Sequence, residues 1–292
     1  MKEQSIFADT DPQAEAFLVE HLRALSPRRK WHMVSQLNAT VRHLALAGLR
    51  ARFPNANERA LHRYLASLLS EDTFVGEVAK YQDERRSYMP LPEPLDVTLQ
   101  VARVLDALDV PYFITGSLAS ALYGVARTTQ HADIVARLEE RHVEPLVKAL
   151  EGEFYIAEEA VRAAVRSARS FNVIHLATMF KVDIFVRRDA FDDARLRRRV
   201  AHTVGTTTEA RAYFASPEDV VLAKLAWYRK GGEVATQQWR DVLGVLKVWG
   251  PNMDIAYMRE WASRLGVDDL LEQAWAAAGV VLKSQGIGDT SQ

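Results

Sequence analysis

Three prolines at alternate positions, Pro90, Pro92 and Pro94, interrupt the chain within Tyr88-Met89-Pro90-Leu91-Pro92-Glu93-Pro94. Each proline lacks a backbone N–H, fixes φ and disfavours helix in the residue before it, so this stretch reads as an extended linker. The sequence pattern differs on its two sides. Upstream, Asp11-Pro12 and Ser26-Pro27 each pair a capping side chain with a proline suited to the first helical position. Apolar residues then recur at three- and four-residue spacing from Asp11 to Leu25 and from Pro27 to Phe53. Pro54-Asn55 ends the second helix, a third is expected from Asn57 to Leu69, and residues 1–89 read as a small helical domain.

Downstream the pattern alternates. A helix from Leu95 to Leu108 precedes the apolar run Pro111-Tyr112-Phe113-Ile114-Thr115, and Gly116-Ser117 then opens a short helix, Leu118 to Tyr123, closed by Gly124. A strand is expected from Ala132 to Leu138 and a helix from Glu139 to Leu150. Strands Phe171–Leu176 and Phe180–Val186 form an antiparallel hairpin around Ala177-Thr178-Met179. Ser216-Pro217-Glu218-Asp219 combines an N-cap, a first-turn proline and first-turn acids, and three or four helices follow it. The expected architecture is α+β. A small mixed β-sheet core (90–205) is flanked by the N-terminal helical domain (1–89) and a C-terminal helical bundle (206–292).

Composition removes several function classes. The 37 Lys plus Arg against 38 Asp plus Glu give a formal net charge of -1, so any attraction of a polyanion must be regional. The absence of cysteine excludes disulfides, thiolate catalysis and zinc–cysteine or iron–sulfur sites. No apolar run approaches the ~20 residues that span a bilayer, and Met1 to Thr10 has acids and no apolar signal core, so a cytoplasmic protein without a membrane partner is expected. There is no His-Glu-x-x-His pattern, no Walker phosphate loop and no G-x-S-x-G elbow.

Two basic stretches stand out. Arg28, Arg29, Lys30, Arg42, Arg50, Arg52, Arg59 and Arg63 lie against Glu58 alone between 27 and 63. A second group runs through Arg162, Arg166, Arg169, Lys181, Arg187, Arg188, Arg195 and Arg197 to Arg199. Solvated helix surface is the plainer reading of both; a salt-dependent surface for RNA such as tRNA is the sharper one. A helical RNA-binding or partner-binding role for residues 1–89 stays open on the same ground.

The chemistry concentrates around three places. Gly116-Ser117 lies where a buried strand hands over to a helix, which aims free backbone N–H groups and the positive end of the helix dipole at one spot, a seat for phosphate or simply a turn. In Arg127-Thr128-Thr129-Gln130-His131-Ala132-Asp133-Ile134, strand alternation puts His131 and Asp133 on one face and turns Ala132 and Ile134 inward. In Lys181-Val182-Asp183-Ile184-Phe185 the same alternation lifts Asp183 out of an apolar run. If these strands are neighbours, Asp133 and Asp183 converge within reach of a divalent cation, which prefers hard oxygen ligands. Two solvated strand carboxylates are the alternative.

These elements in this order, Gly116-Ser117, the helix to Tyr123-Gly124, Arg127-Thr128-Thr129, a carboxylate strand and a later lone Asp183, resemble the nucleotidyltransferase superfold of DNA polymerase beta type. Within it, the likeness is to the minimal nucleotidyltransferases and to toxin nucleotidyltransferases of the AbiEii group, and it covers residues 95–250. The resemblance implies that Gly116 and Ser117 hold the β- and γ-phosphates of a nucleoside triphosphate, with Arg127, Thr129 and Lys224 beside the nucleotide. It implies that Asp133 and Asp183 bind Mg²⁺ or Mn²⁺ and that Asp183 orients or deprotonates the attacking hydroxyl. Asp241 resembles a further acid found on the C-terminal helices of the group. The implied activity is transfer of a nucleoside monophosphate to a hydroxyl of RNA, tRNA included, of protein or of a small molecule, in a toxin–antitoxin or phage-defence setting. Lys224 and Asp241 in helix packing, and Arg127 on the surface, are the alternatives.

One position departs from the family pattern. The group carries two acids at alternate positions of the first strand, and here His131 stands where the first belongs. A neutral imidazole offers one nitrogen lone pair and no negative charge, whereas Mg²⁺ takes oxygen. His131 therefore admits three readings: a degenerate site in a non-catalytic nucleotide- or partner-binding module, a site for a nitrogen-tolerant cation such as Mn²⁺, or a substituted copy of an active enzyme made to trap a complex.

Overall fold

The computed structural model describes residues 6, 12–55, 57, 61, 94–129, 131–178, 180–204 and 210–280. The chain divides into two compact units, one of Ser26–Leu122 with Ala126–Ser216, the other of Met1–Leu25, Tyr123–Val125 and Pro217–Gln292.

The first unit is built on a seven-stranded mixed sheet, and the architecture is α+β. Its strands are β1 (Tyr112–Thr115), β2 (His131–Ala136), β3 (Phe154–Tyr155), β4 (Ser170–His175), β5 (Lys181–Val186), β6 (Val200–Val204) and β7 (Ala210–Phe214), in the spatial order β3-β4-β5-β2-β1-β7-β6. The centre is the most apolar part. All four residues of β1 are buried, and Ala132, Ile134, Val182 and Ile184, the inward positions of β2 and β5, are fully excluded from solvent. β2 lies antiparallel to β1 and parallel to β5, while β4 lies antiparallel to β5, so β4 and β5 form the expected hairpin.

Among the described residues the α-helices of this unit are α2 (Pro27–Arg52), α3 (Pro94–Ala107), α4 (Gly116–Tyr123), α5 (Val143–Leu150), α6 (Glu158–Ser167) and α7 (Ala190–Arg198). Ser26 caps α2 by accepting a hydrogen bond from the Arg29 N–H, and Pro27 occupies its first turn. Trp31 of α2 meets Phe214 of β7 edge to face at 5.5 Å, a favourable aromatic geometry in a fully buried place. α3 turns Leu95, Val97, Leu99, Val101, Ala102 and Leu105 into the core.

The second unit is helical: α1 (Pro12–Ala24), α8 (Pro217–Lys230), α9 (Thr236–Trp249), α10 (Ile255–Leu265) and α11 (Asp268–Ala278). Its apolar interior includes Val221, Leu222, Leu225, Val242, Val245, Met258 and Leu270. Gly266 and Gly279 end α10 and α11 in the left-handed region, where glycine avoids the Cβ clash. The Lys247 ammonium is buried against the Glu15 carboxylate at 2.6 Å, and the Arg23 guanidinium donates to the Lys247 carbonyl. Among the described residues no helix is long and apolar enough to cross a membrane.

Several expectations change here. The expected core boundary at 205 falls between β6 and β7, which pair antiparallel, so the sheet continues to Phe214. α1 and α2, assigned together to an N-terminal domain, belong to different units. The linker residues 88–93 and most of the expected third helix, Asn57–Leu69, lie outside the described residues. β3, α6, α7, β6 and β7 are additional to the sequence reading. α7 is the plainest case, because Ala-Phe-Asp-Asp-Ala-Arg-Leu-Arg-Arg has only two large apolar residues and depends on its Asp189 cap, which accepts from the Asp192 N–H.

Candidate active site

The site grows from one register. Asp133 of β2 stands directly opposite Asp183 of β5, with Thr115 of β1 opposite Asp133 on the other side and Asn172 of β4 opposite Asp183. Residues directly opposite one another in neighbouring strands share a face, so Thr115, Asp133, Asp183 and Asn172 form a polar row across four strands. Beneath it, on the other face, lie the fully buried Ala132, Ile134, Val182 and Ile184. One step along, His131 stands opposite Lys181.

Like charges placed directly opposite on neighbouring strands repel. One charge answers that repulsion. The Lys181 ammonium, two residues before Asp183 and on the same face, lies 3.3 Å from Asp183 Oδ2. His131 Nε2 lies 3.8 Å from Asp133 Oδ1. One ligand atom each from His131, Asp133 and Asp183 can be chosen so that all lie within 4.8 Å of one another, a span that suits a single ion. All three residues are half-buried, so the polar row is open to a ligand while its back is dry.

Gly116 sets the wall of the site. Its φ is +60°, and a Cβ built there would lie 1.9 Å from Asp133 Oδ2. Glycine is thus required twice, by backbone conformation and by the close approach of the carboxylate. The first residue after it, Ser117, accepts a 2.6 Å hydrogen bond through Oγ from the Arg127 guanidinium, and Ser120 Oγ donates to the Gly116 carbonyl at 2.7 Å. Thr129 is buried and fixes the entry to β2. Its hydroxyl donates to the His131 carbonyl at 2.8 Å, and its N–H donates to Asn38 Oδ1 of α2 at 2.9 Å.

Behind Thr115 sits a residue that the sequence reading left in a surface cluster. Arg195 of α7 is buried, donates to Thr115 Oγ1 at 2.9 Å and to Asp192 Oδ1 at 3.2 Å, and places its guanidinium 4.6 Å from the Phe113 ring and 5.2 Å from the Phe191 ring. Its charge is neutralised by Asp192 and its plane is held by aromatic faces. Lys181, Thr115, Asn172 and Arg195 all belong to the polar row or its support. The alternation that singled out Asp183 also put Lys181 on its face; Asn172 needed the β4–β5 register, and Arg195 needed the position of α7.

The remaining predicted residues lie in the helical unit. Lys224 is buried, donating to Asp241 Oδ2 at 2.7 Å and to Gln238 Oε1 at 3.0 Å, and Gln237 donates to Asp241 Oδ1 at 3.0 Å. The structure therefore brings Lys224 and Asp241 to each other. Tyr228 and Trp239 pack ring to ring at 5.5 Å, while Trp227 is exposed.

The basic stretch at 160–199 is largely matched by acids. Arg162 meets Glu140 and Glu158, Arg166 meets Glu140, Arg188 meets Asp192, and Arg187 and Arg137 both meet Asp193. The hydrogen bonds from Arg187 and Arg137 hold the Asp193 carboxyl down at about 2, against the opposing effect of partial burial.

No family model matches the chain, and no curated protein matches it. Among solved structures it is similar to an antigenic nucleotidyltransferase-like protein from Paracoccidioides brasiliensis, at 17% identity and a TM-score of 0.40, over 65% of this chain and 95% of that one. It is also similar to the antibiotic-resistance factor ANT(2'')-Ia, at 15% identity and a TM-score of 0.38, over 63% of this chain and 94% of that one.

Proposed function

We propose that this chain transfers a nucleoside monophosphate from a nucleoside triphosphate to a hydroxyl group. The observation that carries the reading is the facing pair Asp133 and Asp183, in register on parallel strands, with the Gly116-Ser117 turn closed against Asp133. A carboxylate pair held at this spacing beside a helix start is what phosphoryl chemistry needs from a protein: negative charge to hold a cation, and backbone N–H groups and a hydroxyl to hold phosphate oxygens.

The donor set fits a divalent cation, with Asp133 and Asp183 supplying oxygens and His131 a nitrogen. When bound, such a cation supplies charge neutralisation for the triphosphate and for the developing oxyanions. The residues do the rest. The start of α4 and Ser117 bind phosphate oxygens, and Arg127, already fixed on Ser117 Oγ, adds a positive charge beside them. Asp183 accepts the proton of the acceptor hydroxyl. The hydroxyl oxygen bonds to the α-phosphorus, the bond from that phosphorus to the bridging oxygen breaks, and pyrophosphate leaves with the bonding pair. RNA, including tRNA, a protein side chain or a small molecule can each present such a hydroxyl. The likeness to AbiEii-type toxins makes a toxin–antitoxin or phage-defence setting part of the proposal, and residues 1–89 are its proposed partner-binding part.

His131 and the Lys181–Asp183 pair favour a second reading, a nucleotide- or partner-binding module without transfer, because both reduce the negative charge that the chemistry needs. One experiment separates them: the protein and its His131→Asp variant, each with α-labelled ATP, CTP, GTP or UTP, Mg²⁺ or Mn²⁺, and total RNA or lysate. Labelled product from the unaltered protein supports transfer, and label from the His131→Asp variant alone means a nucleotidyltransferase site disabled in this chain at one metal ligand. Triphosphate binding without label from either supports the binding module, and neither binding nor label overturns the nucleotide reading.

A further inference from the structure

The donor atoms at the polar row are unequal in kind, and the charge around them is unusual for a cation site. We infer that His131, Asp133 and Asp183 form a site for one divalent cation of the nitrogen-accepting first-row class, Mn²⁺, Co²⁺ or Zn²⁺, in preference to Mg²⁺, with the Lys181 ammonium excluding a second ion. The inference deepens the proposed nucleotidyl transfer at the same residues, yet it concerns the protein before any nucleotide binds.

Three observations carry it. The first is geometric: one atom each from an imidazole and two carboxylates lie within 4.8 Å of one another, and His131 Nε2 lies 3.8 Å from Asp133 Oδ1. A set of one nitrogen and two oxygens matches cations that accept imidazole, whereas Mg²⁺ holds to oxygen and sheds its water reluctantly. The second is rigidity. Asp133 is wedged against Gly116, where even a methyl group would collide with Oδ2. The His131 backbone is tied through Thr129, whose N–H and hydroxyl bond Asn38 and the His131 carbonyl. Donors fixed in this way lose little freedom on binding an ion.

The third is the charge count. Two carboxylates and one ammonium leave the cluster with a single net negative charge when His131 is neutral. One dication reverses that charge, and a second would be held against a positive site with Lys181 already 3.3 Å from Asp183 Oδ2. Lys181 is placed by register, opposite His131 and on the face of Asp183, so it is a fixed part of the arrangement. Here Lys181 acts as a positioning and selectivity residue through its contact with Asp183.

The test is cation binding to the full chain without nucleotide. Isothermal titration with Mn²⁺, Zn²⁺ and Mg²⁺, each alone, is expected to give one site per chain and Mn²⁺ binding tighter than Mg²⁺ by roughly tenfold or more. Pulsed electron paramagnetic resonance of the Mn²⁺-loaded protein is expected to show nitrogen coupling that His131→Gln abolishes. Lys181→Met should raise the number of bound Mn²⁺ toward two or strengthen the first, and His131→Asp should shift the preference toward Mg²⁺. Equal affinity for Mg²⁺ and Mn²⁺, no nitrogen coupling, or two ions bound to the unaltered chain would overturn the inference. So would no binding at millimolar Mn²⁺, with circular dichroism showing the protein folded. Any of these results leaves nucleotidyl transfer to be decided by the labelling experiment, which is read on product.

Discussion

Two lysine–aspartate pairs in this chain have the same chemistry and opposite surroundings. Lys224 and Asp241 meet at 2.7 Å with side chains 7% and 6% exposed, while Lys181 and Asp183 meet at 3.3 Å with side chains 34% and 16% exposed. The first pair is closed: Gln237 and Gln238 bond the carboxylate and the ammonium in turn, which satisfies charges that would otherwise be stranded in a dry interior. The second sits on an open polar row where Asp183 faces another carboxylate. A buried, satisfied ion pair holds two helices in register, whereas a half-open pair beside a like charge leaves repulsion that a bound cation would relieve.

The largest expected effect breaks this contrast directly. Asp241→Ala leaves the Lys224 ammonium buried without its carboxylate and should lower unfolding free energy by about 3–5 kcal/mol, measured by urea denaturation. Asp183→Asn, by relieving the repulsion with Asp133, should leave stability unchanged or raise it by up to ~1 kcal/mol while eliminating divalent-cation binding. If Asp241→Ala proves neutral for stability, the closed pair is not structural and the contrast fails. Next in size is Gly116→Ala. The left-handed backbone alone should cost about 1–2 kcal/mol, and the displaced Asp133 carboxylate adds to it. The double variant Gly116→Ala/Asp133→Ala should recover only the part due to collision, and full recovery would show that the +60° backbone carries no strain for alanine.

The reach of the sequence follows the same division. Strong alternation in Lys181–Val186 and the apolar run at Tyr112–Thr115 made the central strands readable, because burial on one or both faces leaves a period in the residues themselves. Gly116, Asp133 and Asp183 were readable as exceptions within those runs. The edge strands β3 and β6 were not, since an edge strand is short and half-solvated and its identity depends on the partner it pairs with. Lys224 and Asp241 were named from the family resemblance, and that their side chains meet, from two separate helices, was not legible in the sequence. Asn172 and Arg195 reach the polar row only through register and helix placement, which are tertiary facts.

A third lysine sharpens the comparison through pH. Lys30 of α2 is 2% exposed, and burial pushes its ammonium down to about 8. Between pH 8 and the unfolded value of 10.5, the unfolded chain holds a proton there that the folded chain has released, so stability rises with pH across that window. The expected slope contributed by Lys30 is about 1 kcal/mol per pH unit. Lys30→Met should lack it. Tyr112 and Tyr123, both raised by burial, act in the opposite direction at the upper end of the window, so the measurement is the difference between the two proteins' urea midpoints from pH 7 to 10.5. Parallel curves would mean that Lys30 keeps its charge when folded.

The smallest effect is expected where the ion pairs are most exposed. Asp193, bonded by Arg187 and Arg137, has its carboxyl lowered to about 2 from 3.8, first by the Arg187 hydrogen bond. A depressed folded value contributes stability that is complete above the unfolded pKa and disappears as pH falls through the folded one. The difference between the protein and Asp193→Asn should therefore be constant above pH 5, shrink between about 4 and 2, and diminish in high salt, because both guanidinia lie partly in water. Urea midpoints for the pair across pH 5 to 2, at low and high salt, measure it. A difference that ignores both acid and salt would place Asp193 with the closed pair at Asp241, as packing; a difference that follows both keeps it on the open side.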